Sequence, residues 1–274
     1  MPGDRKTFIF GKKGLIGVVA GLWKWLWQRP HSHLDTVEQH DSVKQHDSSM
    51  IKNTRQLLTT LRDHKKIEQK ISQRTQTGAR ALQLSFQGSG TLNHRCYSVK
   101  IRNAKVSASE LIRLVSLNFA ALSPSELANF EKIKGAPWIL KVGDEFDITM
   151  LGPWNGAVRV VEMAPNAFVF ATLEGHPEAG IIRFTVKPNT GAKNDLEFEI
   201  SSTARSRDAV VDMAYQGAGK HVQLATWLQF LEAVVKLSGG VQIDKIQTVF
   251  EELPDDQNNA PKVARATAKE AHRA

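Results

Sequence analysis

The chain has 274 residues, 41% of them apolar, and a formal net charge of +8, which is enough apolar material for one sizeable core. Residues 1–85 hold 15 Lys/Arg against 7 Asp/Glu and residues 86–274 hold 21 of each, so a basic leader precedes a neutral remainder. That pattern points to a tail that meets an anionic surface, membrane phosphate or, less expected, nucleic-acid phosphate, rather than to a uniformly basic nucleic-acid binder. The single cysteine, Cys96, excludes an intramolecular disulfide framework and a Cys-based zinc cluster while suiting a reducing compartment.

Residues 14–27 read GLIGVVAGLWKWLW, flanked by Lys12, Lys13 and Arg29. A spanning helix needs about 20 apolar residues, so this stretch is too short to cross a bilayer and long enough to lie in its interface. Leu15, Ile16, Val19, Leu22, Trp23, Trp25 and Trp27 would make the membrane contact, tryptophan beside Lys and Arg being the composition of an interfacial anchor. A signal segment and a leader made irrelevant by a start at Met50 are the other two readings of residues 1–30. Residues 31–49 form a polar His/Asp-rich stretch with a near-repeat, VEQHDS then VKQHDS, expected to be a disordered linker; six-residue spacing fixes no metal geometry. Over 50–84, Leu57, Leu61, His64, Ile67 and Ile71 recur at helical spacing among Lys and Arg, predicting a basic helix.

From Thr91 to Ile101, Tyr97, Val99 and Ile101 alternate with Ser98 and Lys100, predicting a strand. Ser107 or Ser109 can cap a short helix with Leu111, Leu114 and Val115 on one side; Ser123, Pro124 and Glu126 make a capping box that predicts a second helix through Lys134. Five period-two stretches follow, centred on Phe146–Met150, Val158–Val160, Phe168–Phe170, Ile182–Val186 and Leu196–Ile200, joined by Gly/Pro/Asn turns, so an antiparallel meander is expected. A long helix over 219–237 presents Leu224, Trp227, Leu228, Leu231, Val234 and Val235, and Gly239-Gly240 ends it. Ile246, Val249, Phe250 and Leu253 predict a last short helix at 241–253, and 254–274 reads as a disordered tail.

The chemistry-bearing groups are few. The loop LEGHPEAG places Glu174, His176 and Glu178 within five residues, a candidate for acid-base work because a carboxylate tunes a neighbouring imidazole; its Gly and Pro are equally what a hairpin requires. Trp154, in the Gly152–Gly156 turn, could close a cavity mouth or anchor the loop. Arg159 shares a face with Ala157, Val161 and Met163, so it either pairs with a strand carboxylate or awaits an anionic group. Arg205 and Arg207 point the same way if extended, beside Asp208. His221 begins the stripe Leu224, Leu228, Leu231 and Val235, which puts it at the cavity end of the long helix, and Tyr215 precedes it. No Ser-His-Asp or Cys-His nucleophile arrangement is present, and nothing calls for a metal or cofactor.

The segments GDEF at 143–146, NGAVRVVEMAP at 155–165 and FATLEGHPEAGIIRFTV at 170–186 resemble an uncharacterised bacterial and plant family whose signature is GTLPGHPExGEExFxV. The resemblance covers about residues 136–237, and Glu174, Ile181 and Ile182 depart from it. Its layout resembles the START and polyketide-cyclase-like (SRPBCC) superfamily. That likeness implies an α+β helix-grip fold over 85–240: a curved antiparallel sheet of about six strands around a long C-terminal helix, with two short helices after the first strand. It brings no known reaction.

The expected function is a binding module for a small apolar or amphiphilic molecule, lipid or isoprenoid-like, in an internal cavity. Trp154, Arg159, His176, Arg205, Tyr215, His221, Leu224 and Leu228 would line it, in a cytoplasmic protein peripheral at an anionic membrane through residues 1–80. The alternatives are a cyclase, hydratase or lyase using His176, Glu174 or His221, and a membrane-tethered interaction protein with a filled core.

Overall fold

A computed structural model describes residues 37–39, 47–73, 80–151, 155–189, 194–208 and 220–254. The predicted membrane contacts from Leu15 to Trp27, together with Trp154 and Tyr215, lie outside these residues. No helix among the described residues is long and apolar enough to cross a membrane.

The elements, in chain order, are β1 (Val37–Gln39), α1 (Asp47–Ser72), β2 (Ser89–Arg102), α2 (Ala108–Leu117), α3 (Phe119–Leu122), β3 (Ala128–Lys134), β4 (Glu145–Met150), β5 (Asn155–Ala164), β6 (Ala167–Thr172), β7 (Glu178–Pro188), β8 (Leu196–Ser206), α4 (Lys220–Ser238) and β9 (Val241–Leu253). They build an α+β fold around one sheet ordered β1-β9-β2-β8-β7-β6-β5-β4-β3. Eight strands are antiparallel; three-residue β1 adds a parallel edge by pairing Val37–Gln39 with Ile246–Thr248. The meander from β3 to β8 follows the period-two pattern and its turns.

Four features depart from the sequence expectations. The sheet is wider than six strands, and ordered strand β1 lies inside the stretch expected to be a disordered linker. The capping box at Ser123 opens no helix, because the Ser123 hydroxyl donates to the carbonyl of Ala128 at 2.7 Å and the chain turns directly into β3. The segment 241–253 is a strand: Ile246 and Phe250 fall on one of its faces and Val249 and Leu253 on the other, so apolar residues on both faces mimic helical spacing, and an irregularity opposite Ser98–Lys100, with Asp244 at φ 60°, precedes them. The long helix is therefore not the last element. Gly239, at φ 67°, takes the left-handed turn after α4 that returns the chain to the sheet as β9 beside β2.

Two layers cover the sheet. On the face we call concave, Tyr97, Val99, Ile101, Phe146, Val160, Phe168, Phe170, Phe184 and Phe198 meet α2, α3 and the buried side of α4, namely Trp227, Leu228, Phe230, Leu231 and Val234. Phe119 is the hub: its ring lies 4.9–5.9 Å from those of Phe130, Phe146, Phe168, Phe170, Phe184 and Phe230, mostly edge to face. On the opposite face, Ile71 of α1 and Leu82 and Leu84 of the following segment pack on Ala157, Val161, Val169, Ala171, Leu173 and Ile181. Strand β6, buried along its whole length, is accordingly apolar up to its last residue, Thr172, whose hydroxyl donates to the Gln83 carbonyl at 2.6 Å.

Helix α1 is locked to this second layer by polar contacts as well. Glu68 accepts from both the backbone N–H and the hydroxyl of Ser85, each at 2.7 Å, and His64 Nε2 lies 2.9 Å from the same hydroxyl. Burial raises the Glu68 pKa, but the contacts to His64 and Ser85 outweigh it and hold the carboxyl below its ordinary value.

Candidate functional site

The apolar concave face turns polar at one end, where the turn before β7 meets the start of α4. Arg95 has the same strand parity as Tyr97, Val99 and Ile101, and antiparallel pairing sets it opposite Ser202 of β8, which in turn faces Ile182 of β7. Glu178, on the parity of Ile182 and Phe184, reaches the same region. Arg95 Nη1 donates to Glu178 Oε1 at 2.6 Å, and Gln223 of α4 donates to Oε2 at 3.0 Å. Both members of the ion pair are buried, at 5% and 8% exposure, so it is an internal, mutually neutralised pair.

His176 completes this end. Its ring lies over Gly156 of β5: a Cβ built at Gly156 would stand 2.3 Å from His176 Cδ2 and 2.8 Å from Nε2, so only glycine leaves room for the imidazole. His176 Nδ1 lies 2.9 Å from the Glu178 backbone nitrogen and 3.0 Å from the Glu178 carbonyl oxygen, so either tautomer of the ring finds a partner there. Burial, opposed by Glu178, lowers the His176 pKa, so the ring is neutral at pH 7.

The turn itself is held from outside. Gln83, in the second layer, donates from Nε2 to the carbonyls of His176 and Glu178 at 2.8 and 2.9 Å and accepts from the Gly175 N–H at 3.2 Å. Arg207 donates from Nη1 to the Gly175 carbonyl and from its backbone N–H to Pro177.

Among the described residues, several buried polar atoms beside this cluster have no hydrogen-bond partner: Tyr97 Oη, Ser202 Oγ, Thr248 Oγ1 and Trp227 Nε1. Thr248 pairs with Tyr97 across β9 and β2, and Ser202 pairs with Arg95 across β8 and β2, so the three strand residues occupy adjoining positions of the concave face. Trp227 lies one helical turn beyond Gln223, its ring 5.8 Å from those of Phe184 and Phe230. Burial pushes the Tyr97 hydroxyl well above the ordinary tyrosine range, so it stays protonated. Among the described residues no group of three or more His, Cys, Asp and Glu side chains could hold a metal ion.

The residues singled out from sequence scatter. His176 lies in this cluster; Glu174, two residues earlier, is exposed, its backbone N–H on the Ala81 carbonyl. His221 is exposed on the first turn of α4, Leu224 is half-buried and Leu228 is buried in the core. Arg159 faces the second layer, where it donates to Glu145 Oε1 at 2.9 Å and to the Arg80 carbonyl at 2.7 Å. Arg205 is buried on that same side, Nη1 donating to the Gly90 carbonyl at 3.3 Å. Arg95, Tyr97, Gln223 and Trp227 did not stand out as site residues. For Arg95 the signal was available, since strand parity places it on the apolar face of β2.

Residues 134–231 match the model of a family described as Domain of unknown function (DUF1990). The resemblance drawn from the GHPE segment therefore holds, and the matched span contains His176, Glu178, Gln223 and Trp227 but not Arg95 or Tyr97. A search of curated proteins finds no match. Solved structures similar to the chain include a norcoclaurine synthase point mutant from Thalictrum flavum in complex with a transition-state analogue (12% identity, 55% of this chain and 96% of that one, TM-score 0.40). A conserved protein from Geobacillus kaustophilus (12%, 54% and 98%, 0.38) and major latex-like protein 151 from Panax ginseng (16%, 54% and 99%, 0.39) are others. Likeness at these TM-scores carries no inference about this chain's ligand.

Proposed function

We propose that the chain is a binding module for a small apolar or amphiphilic molecule of the lipid or isoprenoid kind. It is held between the concave face and α4, with its polar end at His176, Tyr97, Ser202 and Trp227. The observation that carries this reading is the gathering of unpartnered buried polar atoms at one end of an otherwise apolar face. Leaving such a group unsatisfied costs about 1–3 kcal/mol, and a fold that keeps several together is one in which a bound molecule completes them. Phe119 and its neighbours fill the middle of the face, so the ligand's space lies toward the polar end, where Ile182, Leu224 and Gln223 are only half-buried.

Native mass spectrometry tests it: protein purified from cells, or exposed to lipid and cytosolic extracts, should carry an added small-molecule mass. An unchanged mass in every case refutes the reading.

The outward side of α1 supports delivery at an anionic membrane. Leu58, Leu61, Arg62, Lys65, Lys66 and Gln69 line a shallow recess of about 330 Å³ there, combining apolar and cationic groups. The chain should float with vesicles containing phosphatidylserine, and the pair Lys65→Glu and Lys66→Glu should reduce flotation; equal flotation removes α1 from the membrane contact. An enzyme of the cyclase, hydratase or lyase type is the second reading, favoured by the buried, neutral His176 ring. Glu178, engaged by Arg95 and Gln223, leaves His176 as the group to carry proton transfer.

A further inference from the structure

Resting on the binding-module reading, we infer that the ligand's polar end is an uncharged hydrogen-bond acceptor, a carbonyl or ether oxygen, and not a carboxylate, phosphate or ammonium group. The charges at this end already cancel. Arg95 lies 2.6 Å from Glu178, and Gln223 takes up the other carboxylate oxygen, so neither charge awaits a counter-ion. A third charge brought into this buried region would be uncompensated, at a cost of several kcal/mol. The neutral groups are the ones left to recognise a ligand, and donors prevail among them. Among the described residues, Trp227 Nε1, which donates only, and the protonated Tyr97 hydroxyl have no acceptor. Ser202 and Thr248 hydroxyls serve in either sense. The complement of such a set is an oxygen with lone pairs and no charge, on an apolar body lying against Phe184, Ile182 and Leu224.

The test is calorimetric titration of the full chain with four straight-chain probes of one length below their micellar concentrations: a methyl ketone, the carboxylate, the primary ammonium and the alkane. The ketone should bind tightest, by about tenfold over the alkane, as one net hydrogen bond provides, and by more over the two ions. Tyr97→Phe removes a hydroxyl that has no partner among the described residues, so the protein should keep its thermal stability while ketone affinity falls about fivefold or more and alkane affinity stays unchanged. Tighter binding of the carboxylate or the ammonium overturns the inference and leaves the binding-module reading standing. Equal binding of ketone and alkane, or a Tyr97→Phe variant with undiminished ketone affinity, also overturns it. Binding of none of the four sinks the reading and the inference with it.

Discussion

Replacing Gly156 with alanine is the sharpest probe of the His176 seat. The new methyl would stand 2.3 Å from Cδ2 and 2.8 Å from Nε2 of His176, and 2.8 Å from the Met150 methyl, where carbon contacts ordinarily close at about 3.5–4.0 Å. The methionine end can swing away, but the imidazole cannot make room without losing the contacts of Nδ1 with the Glu178 backbone. The bonds from Gln83 to the His176 and Glu178 carbonyls hold the backbone in place. Overpacking costs about 1–3 kcal/mol and a lost buried hydrogen bond about 1 more, so Gly156→Ala should lower unfolding stability by about 2–4 kcal/mol in urea at neutral pH. The pH dependence adds a second reading. Burial depresses the His176 pKa, so between that lowered value and about 6.5 the unfolded chain binds more protons, and stability falls as pH drops through this window. An expelled ring loses that penalty, so the stability gap between variant and wild type should narrow on acidification. His94, also depressed chiefly by burial, remains in both proteins and cancels. Imidazole proton resonances followed by NMR should show the His176 titration moving up toward 6.5. Wild-type stability with an unmoved His176 titration would refute the packing argument.

Gln83→Ala strips three hydrogen bonds from the turn and should cost about 2–3 kcal/mol, with hydrogen exchange accelerating at Gly175 and Glu178 before the sheet core. Arg95→Met leaves a buried carboxylate unpaired and should cost about 3–5 kcal/mol by chemical denaturation, whereas the double change Arg95→Met with Glu178→Leu should recover most of it; equal losses for single and double variants would contradict the internal pair. Glu68 has a depressed folded pKa, so its contribution is present above the ordinary carboxylate value and is lost as pH falls through the folded one. Glu68→Gln should therefore destabilise the neutral protein by about 1–2 kcal/mol, flatten the acid limb of the stability curve and raise exchange selectively in α1.

How much of this was legible follows from the range of each interaction. Phe146 to Ile200 announce their strands because alternation is a local consequence of the pleat, and Pro/Gly turns set the meander's order. The same local reading failed at Ser123, where the hydroxyl serves the Ala128 carbonyl, and at 241–253, where apolar residues on both faces of one strand, Ile246 and Phe250 against Val249 and Leu253, mimic helical spacing. Arg159 was ambiguous for a third reason: parity gives a residue's face but not which face the second layer covers, and that layer comes from α1 and Leu82–Leu84, far away in sequence. The candidate site shows both limits. His176 and the start of α4 could be named, and Arg95 could have been, because turn chemistry and strand parity are local. The bonds that make them one site span long separations: Gln83 to His176 across 93 residues, Arg95 to Glu178 across 83 and Gln223 to Glu178 across 45. Only the paired sheet brings these partners together, and so the neutralised ion pair is a property of the fold and of no single stretch of chain.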